Sequence, residues 1–175
     1  AYDPAMRKKR GVYYTPVQVV QAQVRLVAEL LDARFDAKDT FADGKIVTLD
    51  PATGTGTYLL AAVKHGLEQI ENLKGVGARV GAATKMAANM HAFEILVGPY
   101  AVAHLRLTQQ LLAEGGTLPN DGVHVYLNDT LESPFAEAPE RLSLNLKKLG
   151  DEHKRAQKVK ADTAVVVCIG NPPYN

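Results

Sequence analysis

A continuous apolar run occupies residues 164–170 and leads directly into the segment Asn171-Pro172-Pro173-Tyr174. The run is rich in β-branched residues and ends at Gly and Pro, a pattern typical of a parallel strand that is buried on both faces. In open α/β sheets, ligands bind at the carboxyl ends of the strands. The sequence therefore predicts that the Asn-Pro-Pro-Tyr segment lies at the functional edge of an α/β domain.

The composition of this segment suits a planar substrate that carries an amine. Prolines lack an N–H donor, so the neighbouring carbonyls meet no competing local donor. The amide oxygen of Asn171 and the carbonyl of Pro172 can both accept hydrogen bonds from an exocyclic amine, and Tyr174 offers a ring for stacking. A Pro-rich strand exit with a surface tyrosine is the simpler interpretation of this segment alone.

Helix and strand patterns alternate along the chain without internal repeats, which favours a parallel α/β sheet. Helices are predicted over residues 17–35, 58–73 and 99–113, and strands over residues 45–50, 91–95 and 123–127. Thr15 and Pro16 fit the N-cap and first position of the first helix. Residues 74–90 are rich in Gly and Ala and are predicted only as a connection with room for a short helix.

A charged helical stretch is expected from about residue 140 to residue 160. Its basic residues are Lys147, Lys148, Lys154, Arg155, Lys158 and Lys160. Acidic residues are interleaved and no aromatic residue lies among them, so a solvated helix face is favoured over a phosphate-binding patch.

The exit of the first predicted strand carries the second chemical signal. Residues 50–59 read Asp-Pro-Ala-Thr-Gly-Thr-Gly-Thr-Tyr-Leu, with Gly54 and Gly56 in a strand-to-helix turn where a ligand can approach the backbone. Leu59 replaces the third glycine of the nicotinamide fingerprint. The acid that ends the second strand, Glu94, can hold two ribose hydroxyls, and Asp50 suits a ligand with a cationic ammonium group.

Overall composition sets wider limits. The 175 residues correspond to one domain, and 20 basic against 19 acidic residues leave a net charge of +1, so any nucleic-acid contact needs a local patch. Cys168 is the only cysteine, so an internal disulfide is excluded and a reducing compartment is indicated. It is expected to lie in the buried strand. Because no signal peptide or membrane span is predicted, a cytoplasmic location is expected. The five histidines show no metal-ligand grouping.

Taken together, these motifs resemble the adenine-N6 DNA methyltransferases that use S-adenosyl-L-methionine, most closely the methyltransferase region of type ISP single-chain restriction-modification enzymes. Residues 10–16 resemble the N-terminal cofactor motif, residues 50–59 the glycine loop and residues 171–174 the catalytic tetrapeptide. The resemblance implies a Rossmann-like α/β fold, a mostly parallel sheet with helices on both faces, truncated after the fourth strand. Residues 1–175 would then form the N-terminal part of one methyltransferase domain in a longer chain, inactive in isolation.

The resemblance also implies site residues. Thr15 and Asp50 would meet the methionine carboxylate and ammonium, Glu94 the ribose, Ile95 the adenine ring, and Asp129 the adenine amine. The implied cofactor-binding residues are Tyr14, Thr15, Pro16, Asp50, Pro51, Ala52, Gly54, Gly56, Glu94, Ile95, Asp129 and Thr130, and the catalytic residues are Asn171, Pro172, Pro173 and Tyr174. Taken singly, Thr15 also fits an N-cap, Asp50 a strand-end turn and Asp129 an Asx-turn.

The implied reaction is methyl transfer to the N6 amine of an adenine flipped out of double-stranded DNA, without a metal ion. DNA contacts would come mostly from regions outside these residues, with helicase or nuclease and target-recognition domains as neighbours and no membrane partner. Two alternatives stay open at the level of sequence. One is a protein-glutamine methyltransferase, which shares the Asn-Pro-Pro-Tyr logic, and the other is a cofactor-binding scaffold without catalysis.

Overall fold

The computed structural model describes residues 15–135 and 147–173. Within them, helices and strands alternate as the sequence predicts. The elements are α1 Val17–Phe35, β1 Thr48–Asp50, α2 Thr57–Lys74, α3 Arg79–Asn89, β2 Met90–Glu94, α4 Val97–Ala113, β3 His124–Leu127, α5 Lys147–Asp162 and β4 Val167–Cys168, with short 3-10 helices at Thr40–Ala42 and Val76–Ala78. Among the described residues, no helix combines the length and apolar character needed to cross a bilayer.

The strands form one parallel sheet in the order β3-β2-β1-β4. Asp50 pairs with Ala92, and Glu94 pairs with Leu127, so the last residues of β1, β2 and β3 lie near one edge. The strands begin and end within a few residues of the predicted positions. The predicted parallel α/β class is confirmed.

Helices cover both faces of the sheet. Residues of α1, α2, α3 and α4 share one core cluster with strand residues such as Ala92 and Val125. On the opposite face, Phe93 and Tyr126 pack with Ala156 and Val159 of α5. Because side chains alternate along a strand, neighbouring residues of β2 and β3 supply the two separate cores.

The start of α1 differs from the prediction. The helix begins at Val17, its N-cap is Pro16, and no side chain caps it. The expected N-cap role of Thr15 is therefore wrong, and its hydroxyl is left for a long-range partner.

The segment over residues 74–90 is more helical than predicted. Gly75, with φ of 83°, ends α2, and the eleven-residue helix α3 follows after one 3-10 turn. Arg79 at the start of α3 contacts Glu71 at 2.6 Å and Glu114 at 2.7 Å. The glycines lower intrinsic helix propensity, but burial of Ala82, Ala83, Met86 and Ala87 outweighs it.

The expectation that the fourth strand is buried on both faces is wrong. In the described part of the chain, β4 pairs only with β1 and forms an edge of the sheet. Val167 and Ile169 are buried, whereas Val166 is 37% exposed and Cys168 is exposed. The alternation follows from β4 having one covered and one open face.

The prediction of a solvated face on α5 holds for Lys154 and Lys158, which are exposed, but not for two other basic residues. Arg155 forms an ion pair with Asp121 at 2.7 Å. Lys160 donates to the backbone carbonyls of Asp129 and Glu132. Both cations therefore hold neighbouring loops.

Candidate active site at the carboxyl edge of the sheet

The carboxyl ends of the parallel strands bring the sequence motifs together. Asp50 ends β1, Glu94 ends β2, and Asn171 follows β4 by three residues. The backbone N–H of Ile169 donates to the carbonyl of Leu49 at 2.9 Å, which keeps the exit of β4 beside that of β1. The glycine loop and the Asn-Pro-Pro segment therefore share one edge, where open α/β sheets bind ligands.

Asp50 is the most deeply buried acid of this edge, with 0% of its surface exposed. Its Oδ1 accepts the backbone N–H of Ala52 at 3.1 Å, while Oδ2 has no hydrogen-bond partner among the described residues. Burial raises the pKa of the Asp50 carboxyl to about 7, because desolvation disfavours the charged form. A cation placed at Oδ2 would offset this cost.

The Asp50 carboxylate fits beside residue 170 because glycine has no side chain there. A Cβ on Gly170 would lie 2.5 Å from Asp50 Oδ1 and 3.2 Å from Pro51 Cδ. Only glycine lets the backbone just before Asn171 pass this close to the carboxylate. The sequence indicates Gly170 only as the end of a strand and not as a point of close contact with Asp50.

The glycine loop needs its two glycines for different reasons. Gly54 adopts φ of 56° with open space around its missing Cβ, which is compatible with close ligand approach. Gly56 adopts φ of 85°, and a Cβ there would contact Ala103 of α4 at 3.4 Å, so this glycine also serves packing between the loop and α4. Arg106 of α4 donates to the carbonyl of Thr55 at 3.0 Å and braces the loop from outside.

Glu94 connects two strand exits. Its Oε2 accepts the backbone N–H of Gly54 at 2.8 Å, and its Oε1 accepts that of Leu96 at 2.7 Å. Each carboxylate oxygen can accept a second hydrogen bond. The next residue, Ile95, is 61% exposed, so it presents an apolar surface beside an acidic one.

The loop after β3 faces the glycine loop. The Thr130 hydroxyl donates to the carbonyl of Pro51, and Lys160 Nζ donates to the carbonyl of Asp129 at 2.5 Å. Asp129 is exposed, and its Oδ1 accepts the backbone N–H of Leu131 at 2.9 Å, which is the Asx-turn that its sequence context also allowed.

Two motifs far apart in sequence meet directly at this edge. Asn171 Nδ2 donates to Thr15 Oγ1 at 3.0 Å across a separation of 156 residues. Pro16, Pro172 and Pro173 are exposed next to them. Tyr14 and Tyr174, also assigned to the site from the sequence, lie outside the described residues.

Sequence reasoning missed a polar support beneath the β3 exit. Asn128 is buried, its backbone N–H donates to the carbonyl of Glu94 at 3.0 Å, and its Nδ2 lies 3.0 Å from His153 Nδ1. Its position directly after a predicted strand was the only available signal. In the sequence, Lys160 is one of several charged residues in a helical stretch, and no neighbouring residue indicates that it anchors residues 129–132.

No group of three or more potential metal ligands occurs among residues 15–135 and 147–173. The His91 and His124 rings stack instead, with centroids 4.8 Å apart, on neighbouring strands. Burial lowers the pKa of His91 to about 4, which keeps the ring neutral within the fold.

Several solved structures have a similar fold. A nuclease-deletion mutant of the type ISP restriction-modification enzyme LlaGI, in complex with a DNA substrate mimic, is 27% identical with a TM-score of 0.73 over 94% of this chain and 13% of that chain. The ATP-dependent type ISP enzyme LlaBIII, bound to DNA, is 27% identical with a TM-score of 0.72 over 94% of this chain and 10% of that chain. A DrdV-DNA complex is 26% identical with a TM-score of 0.70 over 99% of this chain and 15% of that chain.

This chain therefore spans about a tenth to a seventh of the length of the solved relatives that it matches. No curated protein matches it. The profile of the N-6 DNA methylase family matches residues 1–175, the whole sequence. The chain thus belongs to the N-6 DNA methylase family, and its fold is similar to the methyltransferase regions of type ISP restriction-modification enzymes.

Proposed function

We propose that this chain is the cofactor-binding and catalytic part of a DNA methyltransferase that moves a methyl group from S-adenosyl-L-methionine to the N6 amine of a flipped adenine. The observation that carries the proposal is the meeting of Asp50, Glu94 and Asn171 at one edge of the sheet. The family membership supports DNA methylation as the general activity.

The residues present fit the cofactor. Asp50 Oδ2 is buried and unpartnered among the described residues, which suits the ammonium of the methionine moiety. The Glu94 oxygens retain acceptor capacity for ribose hydroxyls, and exposed Ile95 offers apolar contact for the adenine ring. Thr15, Gly54, Asp129 and Thr130 border the same edge. Bound S-adenosyl-L-methionine would supply an electrophilic methyl group on a sulfonium.

The protein's own task is positional and electrostatic. The N6 lone pair of adenine is delocalised into the ring, so the amine is a weak nucleophile. Acceptors at the Asn171 amide oxygen and the Pro172 carbonyl would hold its two N–H groups and favour a pyramidal nitrogen that faces the methyl group. Tyr174 would stack on the flipped base.

The cellular setting is part of the same proposal. Double-stranded DNA would be the macromolecular substrate, bound mainly by neighbouring target-recognition, helicase or nuclease domains in a longer chain. A cytoplasmic location would follow from the reducing environment that a lone cysteine indicates.

The test uses the full-length enzyme with methyl-labelled S-adenosyl-L-methionine, duplex DNA and a panel of candidate protein substrates. Label recovered as N6-methyladenine supports the proposal. Label on a glutamine side chain would favour the protein methyltransferase alternative, and binding without transfer to either polymer would favour the scaffold.

Substitution separates catalysis from binding. Asn171→Ala is expected to lower turnover by a factor of about 100 or more while cofactor affinity stays nearly unchanged, because the amide contacts the target and not the cofactor. Asn120→Ala, in an exposed turn, is the matched control. Retention of most of the turnover by the Asn171 variant would contradict the catalytic assignment.

A further inference from the structure

The hydrogen bond between Thr15 and Asn171 joins the cofactor motif to the catalytic segment. Asn171 Nδ2 is the donor and Thr15 Oγ1 the acceptor, at 3.0 Å. Thr15 carries no helix-capping duty, since α1 begins without a side-chain cap. The contact is thus specific to these two segments, which lie 156 residues apart.

The orientation of the Asn171 amide decides whether the site can work. An amide has one oxygen acceptor and one nitrogen with two donors, and the two ends have nearly the same shape. Only the oxygen can accept from the target amine, because an NH2 group in its place would oppose the amine's own N–H groups. The protein therefore needs a device that distinguishes the two ends.

A threonine hydroxyl alone does not distinguish the amide oxygen from the amide nitrogen, because it can either donate or accept a hydrogen bond. It has one proton, however. Once that proton is committed to an anion, the hydroxyl can only accept, and the Asn171 amide must turn its nitrogen toward Thr15. A carboxylate is the kind of partner that would commit the proton, since hydrogen bonds to charged groups are the stronger ones.

We propose that Thr15 couples cofactor binding to catalysis: its hydroxyl donates to the carboxylate of the bound cofactor, accepts from Asn171 Nδ2, and so fixes the amide oxygen toward the target amine. This inference rests on the proposed function. Thr15 acts here as a positioning residue, because it reaches the target only through Asn171. Recognition of the target amine then depends on the cofactor's carboxylate.

The experiment measures binding of the full-length enzyme to two duplexes, one with adenine and one with purine, which lacks the exocyclic amine, at the target position. S-Adenosylhomocysteine carries the carboxylate, and methylthioadenosine lacks it. For the wild type, S-adenosylhomocysteine should raise the preference for adenine over purine by roughly ten-fold, the equivalent of one hydrogen bond, and methylthioadenosine should not.

Three variants test the role of the hydroxyl. Thr15→Val should abolish the S-adenosylhomocysteine-dependent preference and lower kcat by roughly 10- to 100-fold. Thr15→Ser should retain both, and Thr117→Val, the same change at an exposed threonine, should behave as wild type. Comparison with Thr15→Ser, which retains the hydroxyl, distinguishes loss of the hydrogen bonds from a folding defect in Thr15→Val.

Two results would overturn the inference while leaving the proposed function intact. One is a Thr15→Val enzyme with wild-type kcat and an unchanged preference for adenine. The other is a variant with weaker S-adenosylhomocysteine binding but an unaltered cofactor-dependent preference, which would limit Thr15 to holding the cofactor. A wild-type enzyme that methylates no adenine would overturn both.

Discussion

The Glu94 carboxylate lies 2.8 Å from the backbone N–H of Gly54, which ties the end of β2 to the glycine loop after β1. Its other oxygen accepts the N–H of Leu96 at 2.7 Å. One buried acid therefore shapes two strand exits and still has acceptor capacity for a ligand.

This dual role predicts two effects of Glu94→Ala. Cofactor affinity should fall by about 1 to 3 kcal/mol through loss of charge-assisted hydrogen bonds, and the free energy of unfolding should fall by a similar amount because two backbone donors lose their partner. Titration calorimetry on a chain that binds detectably, together with thermal unfolding, measures both. Glu68→Ala, on an exposed helix face, is the control. Unchanged cofactor affinity would remove Glu94 from the site.

Asp50→Asn is expected to stabilise the fold at alkaline pH while weakening cofactor binding. Burial raises the pKa of Asp50 from 3.8 to about 7, so the folded protein retains a proton that the unfolded chain releases. The resulting stabilisation is complete below about pH 4 and is lost as the pH rises through 7. Asparagine does not ionise and loses nothing over this range.

Thermal unfolding of wild type and Asp50→Asn at pH 5.5 and pH 8 tests this difference. The melting temperature of the variant should exceed that of the wild type by a few degrees more at pH 8 than at pH 5.5, since about 1 kcal/mol corresponds to roughly 2 to 4 °C in a domain of this size. Asp32→Asn, at an exposed position of α1, should not change the pH dependence. Parallel curves for wild type and Asp50→Asn would contradict the expectation.

The sequence predicted the positions of Asp50, Glu94 and Asn171 because each follows a strand pattern directly. In a parallel sheet, all strands end at the same edge, so local strand assignments were enough to bring these residues together. The α/β class followed from the same alternation. The assignment of individual ligand contacts remains a prediction.

Other features depended on pairing that a sequence does not display. The Thr15 hydroxyl can serve a helix N-terminus or any nearby polar group, and its partner Asn171 lies 156 residues away. The exposure of Cys168 depends on the place of β4 in the strand order, since an apolar run looks the same in a central strand and at an edge. The sequence indicates residues 74–90 only as a connection with room for a short helix, because Gly75, Gly77 and Gly81 lower the helix propensity of this segment. Packing and not propensity stabilises α3.

Lys160→Met should destabilise the loop that carries Asp129. The Lys160 ammonium bonds the carbonyls of Asp129 and Glu132 and lies 5.3 Å from the centre of the Phe93 ring. Methionine keeps the apolar stem but leaves both carbonyls without this donor, so the free energy of unfolding should fall by about 1 to 2 kcal/mol. Denaturant unfolding measures the change. Lys158→Met, at an exposed position of the same helix, should have little effect, and equal losses from both variants would refute the anchoring role.

Gly170→Ala tests the close approach between Asp50 and the backbone just before Asn171, the proposed catalytic residue. The added Cβ would lie 2.5 Å from Asp50 Oδ1, an atom held by the backbone N–H of Ala52. Since Asp50 is fully buried, the strain should displace the chain at Asn171, lowering stability by about 1 to 3 kcal/mol and turnover by roughly 100-fold.

Gly81→Ala is the matched control, because nothing lies within 4 Å of a Cβ built at this position in α3. There, alanine should stabilise the helix by about 0.5 to 1 kcal/mol. Denaturant unfolding and methyl-transfer assays of the full-length enzyme would be compared for the two variants. If Gly170→Ala were as stable and active as Gly81→Ala, the backbone before Asn171 would tolerate a side chain at residue 170, and the close contact with Asp50 could not be what positions the proposed catalytic amide.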